Sequence, residues 1–489
     1  MFSPSLDSFQ EMAQRGNMIP VWAEIPADLD TPVSAFLKIR TGHHDFLLES
    51  VEGGANWGRY SFLGTKPRMI FRCRDSLVYI QEGRKKEIIE DNPLTVLRQI
   101  LSRYSWVEQP DLPPFAGGFV GYMAYDMARS FEELPNTSKD RLDLDDAVFI
   151  LTDTLIVFDN LKQVILVVVP VFIKDQSQIK ILYKKAIEQI QKTIQTLAKP
   201  VPAKDLKSQK SSGKITLKAS RTEKEFCSLV EKAKEYIAAG DIFQVQISMT
   251  FEVQTKADPF QLYRSIRRLT PTPYLYYLKL DDLTLVGASP ELLVRLQGEL
   301  VETRPIAGTR RRGRTLEEDR LMEEELKQDP KERAEHIMLV DLGRNDVGRV
   351  CALGSVKVDE QEVVEHYTHV MHLVSHVSGK LKKGCDALDV LQANFPAGTL
   401  TGAPKIRAME IIEELEGMRR GTYGGCVGYI GFNGNMDMAI TIRTALFRKG
   451  RVIVQAAGGI VYDSVPALEY KECHNKAAAM RRALESIQS

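Results

Sequence analysis

The stretch AVFILTDTLIVFDN, residues 147–160, contains two short apolar runs that are separated by Thr, Asp and Thr. Runs of β-branched and aromatic residues that are broken by turn-forming residues are typical of β-strands joined by tight turns. A second stretch, SLVYIQEG at residues 76–83, alternates apolar and polar residues, which indicates a strand with one buried face. Because such runs recur between about Val33 and Val169, the sequence predicts antiparallel strands over this part of the chain.

Helical patterns become frequent after this strand-rich part. The residues from Ser177 to Ala198 predict a helix, and so does EKEFCSLVEKAKEYIAAGD, whose apolar residues recur at helical spacing. Residues 201–215 between them are polar and contain Pro and Ser, which is typical of a linker. The sequence therefore predicts a smaller, regulatory N-terminal part at 1–200 and a larger catalytic domain at 216–489, in an α/β fold of the α+β type.

The composition argues against several classes of protein. The 489 residues contain 65 Lys and Arg and 65 Asp and Glu, so no net charge favours nucleic acid or a membrane surface as a partner. The longest apolar run, residues 164–173, contains a proline and is too short to cross a bilayer. The six cysteines are far apart and lack metal-ligand spacing, which argues against a disulfide framework or structural zinc. We therefore expect a cytoplasmic protein.

Two segments predict helices with a carboxylate on a face that also holds apolar residues. Glu335 lies in ERAEHIMLVDLGRNDVGR, and Glu472 lies one turn before Lys476 in EYKECHNKAAAMRRALES. Glu335 could instead reach solvent or pair with an arginine, and Glu472 with Lys476 could form a simple surface pair. Carboxylates from two such helices could jointly hold an oxygen-preferring ion such as Mg²⁺.

Two further segments are suited to binding anions. FPAGTLTGAPKIRAMEIIEELE, residues 395–416, is a Gly-rich loop that leads into a helix, and we expect Thr401 or Gly402 to cap that helix. Free N–H groups at a helix start favour an anion, although a plain tight loop is the alternative. AITIRTALF, residues 439–447, predicts one strand in which Arg443 lies beside small residues, an arrangement suited to a carboxylate.

Ten short motifs follow one another through the C-terminal part of the chain: DIFQVQIS, GASPELLVR, ETRPIAGTR, AEHIMLVDLGRND, MHLVSHV, FPAGTLTGAPK, GGCVGYIGF, TIRTA, AAGGIVYDS and EYKECHNKA. This ordered set resembles the chorismate-utilising enzyme family over residues 222–484. The resemblance implies antiparallel β-sheets packed against helices, Mg²⁺ as the cofactor, and Glu335 and Glu472 as the ligands of the metal.

The resemblance also implies roles for individual residues. Glu291 corresponds to a general acid that protonates the departing ring hydroxyl, and burial would raise its pKa into a useful range. His372 corresponds to an active-site histidine, and Thr399 to a position found in members that eliminate pyruvate. The implied substrate contacts are Tyr423, Arg443, Gly402, Gly458, Gly459 and Lys476.

Gln244 and Ala307 distinguish the reactions within the family. Water-adding members resemble one another in a lysine at the position of Gln244, whereas glutamine cannot act as a base but can position ammonia. Members that make a para-amino product typically have the motif PIKGT, whereas this chain has PIAGT with Ala307. The resemblance therefore implies a lyase that converts chorismate and ammonia to anthranilate and pyruvate, at the entry to tryptophan synthesis.

Two partners follow from the implied reaction. Ammonia is mostly protonated at neutral pH, and this chain has no Cys–His–Glu amidotransferase signature, so a separate glutamine amidotransferase subunit is implied. L-Tryptophan is implied as a feedback inhibitor between the two parts of the chain, and a buried strand with one satisfied polar end is the alternative. The residues of this inhibitor site are Leu48, Glu49, Ser50, Pro273, Tyr274 and Leu275.

Three other functions stay open at this point. The closest is component I of aminodeoxychorismate synthase, in folate synthesis, against which Ala307 argues. A catalytically silent tryptophan-sensing subunit would have lost site residues such as Glu291 or Arg443, and these are present. The basic run at residues 310–314 could suggest nucleic acid, but acidic residues follow it and no aromatic residues are interleaved.

Overall fold

A computed structural model describes residues 2–50, 58–206, 215–367 and 370–487. No helix within these ranges has the length and apolarity needed to cross a membrane. The α-helices are α1 Leu6–Met12, α2 Pro32–Ile39, α3 Pro93–Leu101, α4 Ile179–Leu197, α5 Ala203–Leu206, α6 Glu223–Ala238, α7 Pro259–Leu269, α8 Leu316–Gln328, α9 Pro330–Gly348, α10 Ala387–Asn394, α11 Lys405–Glu416 and α12 Pro466–Glu485.

The β-strands are distributed over both parts of the chain. They are β1 Phe2–Ser3, β2 Met18–Pro26, β3 His44–Glu49, β4 Tyr60–Thr65, β5 Pro67–Arg74, β6 Leu77–Glu82, β7 Lys85–Glu90, β8 Gly118–Met123, β9 Ala147–Thr152, β10 Leu155–Asp159, β11 Val164–Phe172, β12 Lys218–Ala219, β13 Gln244–Gln254, β14 Tyr274–Leu280, β15 Leu283–Ser289, β16 Leu292–Gln297, β17 Leu300–Thr303, β18 Ile306–Arg311, β19 Lys357–His366, β20 Val370–Lys380, β21 Gly402–Ala403, β22 Cys426–Gly431, β23 Met436–Ile440, β24 Thr444–Arg448 and β25 Arg451–Ile460. The predicted antiparallel strands and the helices α4 and α6 are confirmed.

Two antiparallel sheets form the centre of the protein. The first has the order β1-β2-β11-β10-β4-β3-β14-β15-β24-β25-β13-β12, with β21 also beside β13. The second has the order β18-β20-β17-β16-β23-β22-β8-β9-β5-β6-β7, with β19 also beside β20. Each sheet joins strands from both predicted parts of the chain, through the pairs β3–β14 and β8–β22.

The two sheets pack face to face, and helices cover their outer faces. Phe46 and Leu278 of the first sheet share one apolar core with Val120 and Val427 of the second. A second core joins the outer face of the first sheet to helices that include α2, α6 and α11, and a third joins the second sheet to α3 and α10. This helix–sheet–sheet–helix arrangement buries both faces of each sheet. It confirms the predicted α+β fold class.

The predicted domain boundary falls in a segment that is only partly described. Of the linker predicted at 201–215, residues 207–214 lie outside the described ranges. Just before them, α5 is held in place because Arg40 forms an ion pair of 2.5 Å with Asp205. The boundaries at 200 and 216 stay predictions. Strands from the two sides of these boundaries pair with each other, as in β3–β14 and β8–β22, and so join the two parts through backbone hydrogen bonds.

The chain around Arg443 differs from the single strand that the sequence predicts. β23 ends at Ile440 in the second sheet, and β24 begins at Thr444 in the first sheet. Arg443 lies at this crossing with φ of 49°, a left-handed conformation that is uncommon for residues other than glycine. Strand-forming residues are present on both sides of the crossing, so the sequence pattern did not show that the chain changes sheets.

The Gly-rich loop also differs from its prediction. The helix begins at Lys405, and its N-cap residue is Pro404, which has no side-chain capping hydrogen bond. Thr401 and Gly402 therefore do not cap it. Gly402 pairs with Val245 as part of β21, and the Thr401 hydroxyl donates to the carbonyl of Ala397. The loop is fixed by strand pairing, which holds it against β13.

Candidate active site

Three neighbouring strands bring Gln244 together with the predicted substrate glycines. Gln244 begins β13, where Val245 pairs with Gly402 on one side and Gln246 pairs with Gly459 on the other. A Cβ on Gly402 would lie 2.1 Å from the carbonyl oxygen of Gln244, and one on Gly459 would lie 2.9 Å from its Nε2. A side chain at position 402 would collide with the backbone of Gln244, so this close approach requires glycine, whereas at position 459 the nearest atoms are the mobile ends of glutamine side chains.

Glu291 is buried and is held by a single side-chain hydrogen bond. The Thr399 hydroxyl donates to its Oε1 over 2.8 Å, which joins the loop before β21 to the turn before β16. Burial raises the pKa of Glu291 to about 7, although the Thr399 hydrogen bond and the charges of Arg443 and Lys476 lower it. At neutral pH a large fraction of this carboxyl group is therefore protonated and able to donate a proton.

Replacing Thr399 by Val is expected to move the pKa of Glu291 upward, because the hydroxyl stabilises the ionised carboxylate. A general acid is active while it is protonated, so activity is present below its pKa and is lost as the pH rises through it. The alkaline limb of kcat/KM should therefore shift to higher pH in Thr399→Val. The matched control is Thr401→Val, whose hydroxyl bonds only Ala397 and Gly398 carbonyls. An unchanged limb in Thr399→Val would contradict this assignment.

Arg443 carries a buried positive charge close to Glu291. Burial lowers the pKa of the Arg443 guanidinium, and the charges of Glu291 and Tyr367 raise it. Within the described residues, this guanidinium has no carboxylate partner in an ion pair. A buried arginine without such a partner is suited to bind a carboxylate of a ligand, because burial without a counterion is costly.

His372 is held as a neutral imidazole. Its Nδ1 lies 3.1 Å from the carbonyl oxygen of Gly308 and 3.0 Å from the Thr309 hydroxyl. A carbonyl oxygen only accepts hydrogen bonds, so Nδ1 carries the hydrogen and Nε2 is left as an acceptor. Burial and the charge of Arg443 lower the pKa of His372 to about 4, although the hydrogen bond to Gly308 acts in the opposite direction. At neutral pH, His372 can therefore accept a proton or a hydrogen bond at Nε2.

Helices α9 and α12 bring their carboxylates to the same place. Glu335 accepts a hydrogen bond of 3.2 Å from Gln244. Burial raises the pKa of Glu335, and the nearby charges of Glu332 and Glu472 raise it further. Glu472 also pairs with Lys476 over 2.7 Å, and both side chains are 47% exposed. The surface pair considered from the sequence is therefore present, and it borders the Glu335 carboxylate.

The donor groups of this cluster fit a divalent cation. Oε2 of Glu469 and Oε1 of Gln244 are buried and have no hydrogen-bond partner among the described residues. The Glu472 carboxylate lies close enough to Glu335 to raise the pKa of Glu335. A bound Mg²⁺ would offset this repulsion between the two carboxylates. No described group of three or more His, Cys, Asp or Glu residues could hold a metal by itself. A Mg²⁺ site does not need three such ligands, because Mg²⁺ commonly binds one or two carboxylates and keeps several waters or substrate oxygens.

Arg420 joins the segments that surround Tyr423, a role that was not predicted from the sequence. Its guanidinium is buried, pairs with Glu416 over 2.6 Å, and donates to the carbonyls of Leu400 and Gln246. The guanidinium carbon lies 5.9 Å from the centre of the Tyr423 ring. The only sequence signal was the four-residue spacing from Glu416, which is common on exposed helix surfaces. Lys476, also near the site, donates to the Ala457 carbonyl over 2.9 Å.

The residues predicted to bind tryptophan all line one cavity of about 1510 Å³ between the sheets. Their side chains do not all face it. Tyr274 belongs to the apolar core between the sheets, whereas Leu275 belongs to the core on the outer face. Glu49 accepts hydrogen bonds of 2.9 and 3.0 Å from Arg267 and a further one from Tyr263. The Glu49 carboxylate is therefore occupied by partners on the outer face.

Comparison with known proteins gives consistent matches over nearly the whole chain. A profile of the chorismate binding enzyme family matches residues 51–482. The chain is 47% identical over 483 residues to anthranilate synthase component 1 of Aquifex aeolicus, covering 98% of this chain and 97% of that protein. It is 45% identical over 491 residues to anthranilate synthase component 1 of Acetivibrio thermocellus, covering 99% of each. The crystal structure of anthranilate synthase component I from Streptococcus pneumoniae superposes with a TM-score of 0.78 at 34% identity, covering 94% of this chain and 99% of that one.

Proposed function

The chain belongs to the family of chorismate binding enzymes, and we propose that it converts chorismate and ammonia to anthranilate and pyruvate. The observation that carries this proposal is the buried Glu291, whose pKa is raised to about 7 beside two cationic side chains, Arg443 and Lys476. A neutral acid next to fixed positive charge suits a dianionic substrate that must lose a hydroxyl group.

The cationic groups bind and orient the substrate. Chorismate carries two carboxylates, and the buried Arg443 suits one of them because it has no carboxylate partner within the described residues. The enolpyruvyl carboxylate binds Arg443, Tyr423 and the backbone near Gly459, while the ring carboxylate lies near Gly402. Glycine at these two positions allows the backbone to approach the ligand closely.

The chain's own residues move the protons of the first step. Ammonia adds to the ring carbon beside the carboxylate-bearing carbon, Glu291 protonates the departing hydroxyl so that it leaves as water, and the added nitrogen then releases one proton to solvent. Gln244 positions the ammonia, which needs no base when it is unprotonated. Pyruvate elimination then breaks the ring C–O bond while the ring loses one C–H proton to become aromatic, and the neutral His372 can pass that proton to the CH2 carbon of the departing pyruvate.

Glu335 and Glu472 would hold Mg²⁺ at the binding site. When bound, it supplies positive charge that draws a substrate carboxylate to a place where the glutamates alone would repel it. Lys476 lies beside the same carboxylates and contributes further positive charge. Gln244 contacts Glu335 directly, so the ammonia-positioning residue and the metal ligand are mutually oriented.

The choice of ammonia over water as nucleophile rests on Gln244 and Ala307. Neither side chain can act as a base or nucleophile, which disfavours hydration and covalent ring attachment. A glutamine amidotransferase partner supplies the ammonia in the cell, in keeping with the designation component 1 of the relatives. We place this assembly in the cytoplasm, where its substrates are available.

We further propose that tryptophan binds the cavity between the sheets and inhibits the enzyme. Tyr274 faces that cavity beside Arg295, whose guanidinium pairs with Asp437 over 2.8 Å. An aromatic wall next to fixed charges suits a zwitterionic aromatic amino acid. The Glu49 carboxylate is already hydrogen-bonded to Arg267, so we assign the recognition of tryptophan to other groups of the cavity.

Replacing Tyr274 by Ala is expected to raise the tryptophan concentration for half-inhibition by about tenfold, since an aromatic contact of ~1.4 kcal/mol corresponds to that factor. Tyr274 is not among the predicted active-site residues, so activity without tryptophan should be retained. Initial rates of anthranilate formation over a tryptophan series provide the measurement. Tyr79→Ala, an exposed tyrosine of the other sheet, is the control. Unchanged inhibition in Tyr274→Ala would remove this cavity as the inhibitor site.

Product analysis tests the reaction itself. The purified chain is incubated with chorismate, Mg²⁺ and ammonium, and the products are separated by chromatography. We expect anthranilate and an equal amount of pyruvate, without added glutamine or partner. A para-amino product would indicate the folate-pathway reaction, and isochorismate would indicate addition of water. Either product in place of anthranilate would overturn the proposal.

A further inference from the structure

A small cavity lies beside Glu291 and is separate from the predicted substrate contacts. Its volume is about 40 Å³, and its lining includes Glu291, Thr399, Asp346, Asn394 and Thr303. Arg443 and Lys476 are near enough to Glu291 to lower its pKa, but neither lines this cavity. The cavity therefore reaches the carboxyl group from a different direction than the cationic groups proposed to bind chorismate.

The cavity has the size and the polarity that buried water needs. A volume of about 40 Å³ holds about two or three water molecules, and each requires two or more polar partners. The lining offers the carboxyl groups of Glu291 and Asp346, the hydroxyl of Thr399 and the amide of Asn394. These four residues are largely enclosed, and Asn394 is only 3% exposed. Water in this position would be ordered by the protein.

The proposed reaction requires that Glu291 be protonated again after each turnover. Its proton leaves with the ring hydroxyl while the proton released by the added nitrogen passes to solvent, so the chemical steps end with a buried carboxylate on the enzyme. Such a carboxylate needs a route to solvent that bound substrate does not block. Resting on the proposed function, we infer that the cavity holds a water chain through which Asp346 and Lys405 return a proton to Glu291.

The ion pair of Asp346 and Lys405 provides the outer end of this route. Lys405 Nζ lies 2.7 Å from Asp346 Oδ2, and the two side chains are 10% and 8% exposed. A proton passes from the Lys405 ammonium to Asp346, then to a cavity water, while that water gives one of its protons to Glu291. Solvent recharges Lys405, so no bond other than O–H and N–H bonds changes.

The charged neighbours of both acids are compatible with this transfer. Arg443 and Lys476 face Glu291, and Lys405 and Arg349 face Asp346. Burial raises the pKa of Asp346, whereas Lys405 and Arg349 lower it. Asp346 does not contact the residues proposed to bind the substrate. It is a positioning residue that acts through Glu291, because it holds the proton that Glu291 receives.

Asp346→Asn tests the route because reprotonation follows the chemical steps. We expect kcat to fall by about tenfold, while kcat/KM for chorismate stays unchanged. The solvent deuterium isotope effect on kcat should increase, because proton return becomes rate-limiting. A purely structural defect would lower kcat and kcat/KM together and leave the isotope effect unchanged, and this result would overturn the inference. A raised KM for ammonium as the main effect would also overturn it, since the cavity would then carry ammonia.

Two further variants keep the test decisive. Asp346→Asn leaves Lys405 buried without a partner, so the double variant with Lys405→Met removes both charges together. It should show the same loss of kcat and the same increased isotope effect, and normal kinetics would overturn the inference. Asp341→Asn is the control on the same helix, because its exposed carboxylate pairs only with Arg344. The wild-type measurement distinguishes failure of this inference from failure of the proposed function. If the unmodified chain made no anthranilate, the proposed function itself would be wrong.

Discussion

Replacing Glu291 by Gln is expected to lower kcat for anthranilate formation by about two to four orders of magnitude. The amide keeps the size of the side chain and can still accept from Thr399, but it has no acidic proton to give to the departing hydroxyl. Chorismate binding should persist, because Arg443 and Lys476 are unchanged. Steady-state rates together with calorimetric binding of chorismate provide the measurement.

The companion variant Glu291→Asp distinguishes loss of the acid from loss of packing. Aspartate keeps an ionisable group at shorter reach, so an intermediate kcat is expected. Gln and Asp variants that lose the same amount of activity would indicate that shape matters more than the proton. Near-normal kcat in Glu291→Gln would exclude this residue as the general acid.

Replacing Glu335 or Glu472 by Gln is expected to abolish Mg²⁺-dependent turnover. Each carboxylate contributes charge that a hard divalent ion requires, and an amide oxygen is a weaker ligand for it. Glu335→Gln also changes the partner of Gln244, which donates to this carboxylate over 3.2 Å. Titration of activity with Mg²⁺ and calorimetric Mg²⁺ binding provide two independent readouts.

The control for the metal variants is Glu231→Gln, an exposed acid on α6. It should keep the wild-type dependence on Mg²⁺. Circular dichroism should show native secondary structure in all three variants, because the carboxylates lie on helices whose cores are apolar. A wild-type Mg²⁺ titration in Glu335→Gln or Glu472→Gln would remove that residue from the metal site.

Local sequence patterns predicted the elements of the site better than their arrangement. Helix α6 and the carboxylates of α9 and α12 follow from helical spacing, which is a property of short segments. The crossing at Arg443 could not be predicted, because strand-forming residues continue on both sides of the point where the chain passes from one sheet to the other. Which strands pair across the predicted boundary depends on contacts that are distant in sequence.

The same limit applies to buried polar groups. Glu49 lies on the face of β3 opposite the cavity, and its bonds to Arg267 and Tyr263 come from a helix that is distant in sequence. Arg420 was not among the predicted site residues, yet it is buried and holds three segments near Tyr423. The cavity beside Glu291 arises where several loops and helices meet, so no single motif contains it. Such features depend on packing.

The most direct test of this account is the rate of anthranilate formation by the isolated chain, measured across the neutral and alkaline range. Chorismate is kept well below its KM and Mg²⁺ is kept saturating, so that the pH profile reports the free enzyme, and total ammonium is adjusted so that unprotonated ammonia stays constant. The account predicts anthranilate without glutamine, at a rate that falls as the pH rises through about 7, where Glu291 loses its proton. A rate that does not change through this range, or a folded chain that leaves chorismate untouched, would contradict it.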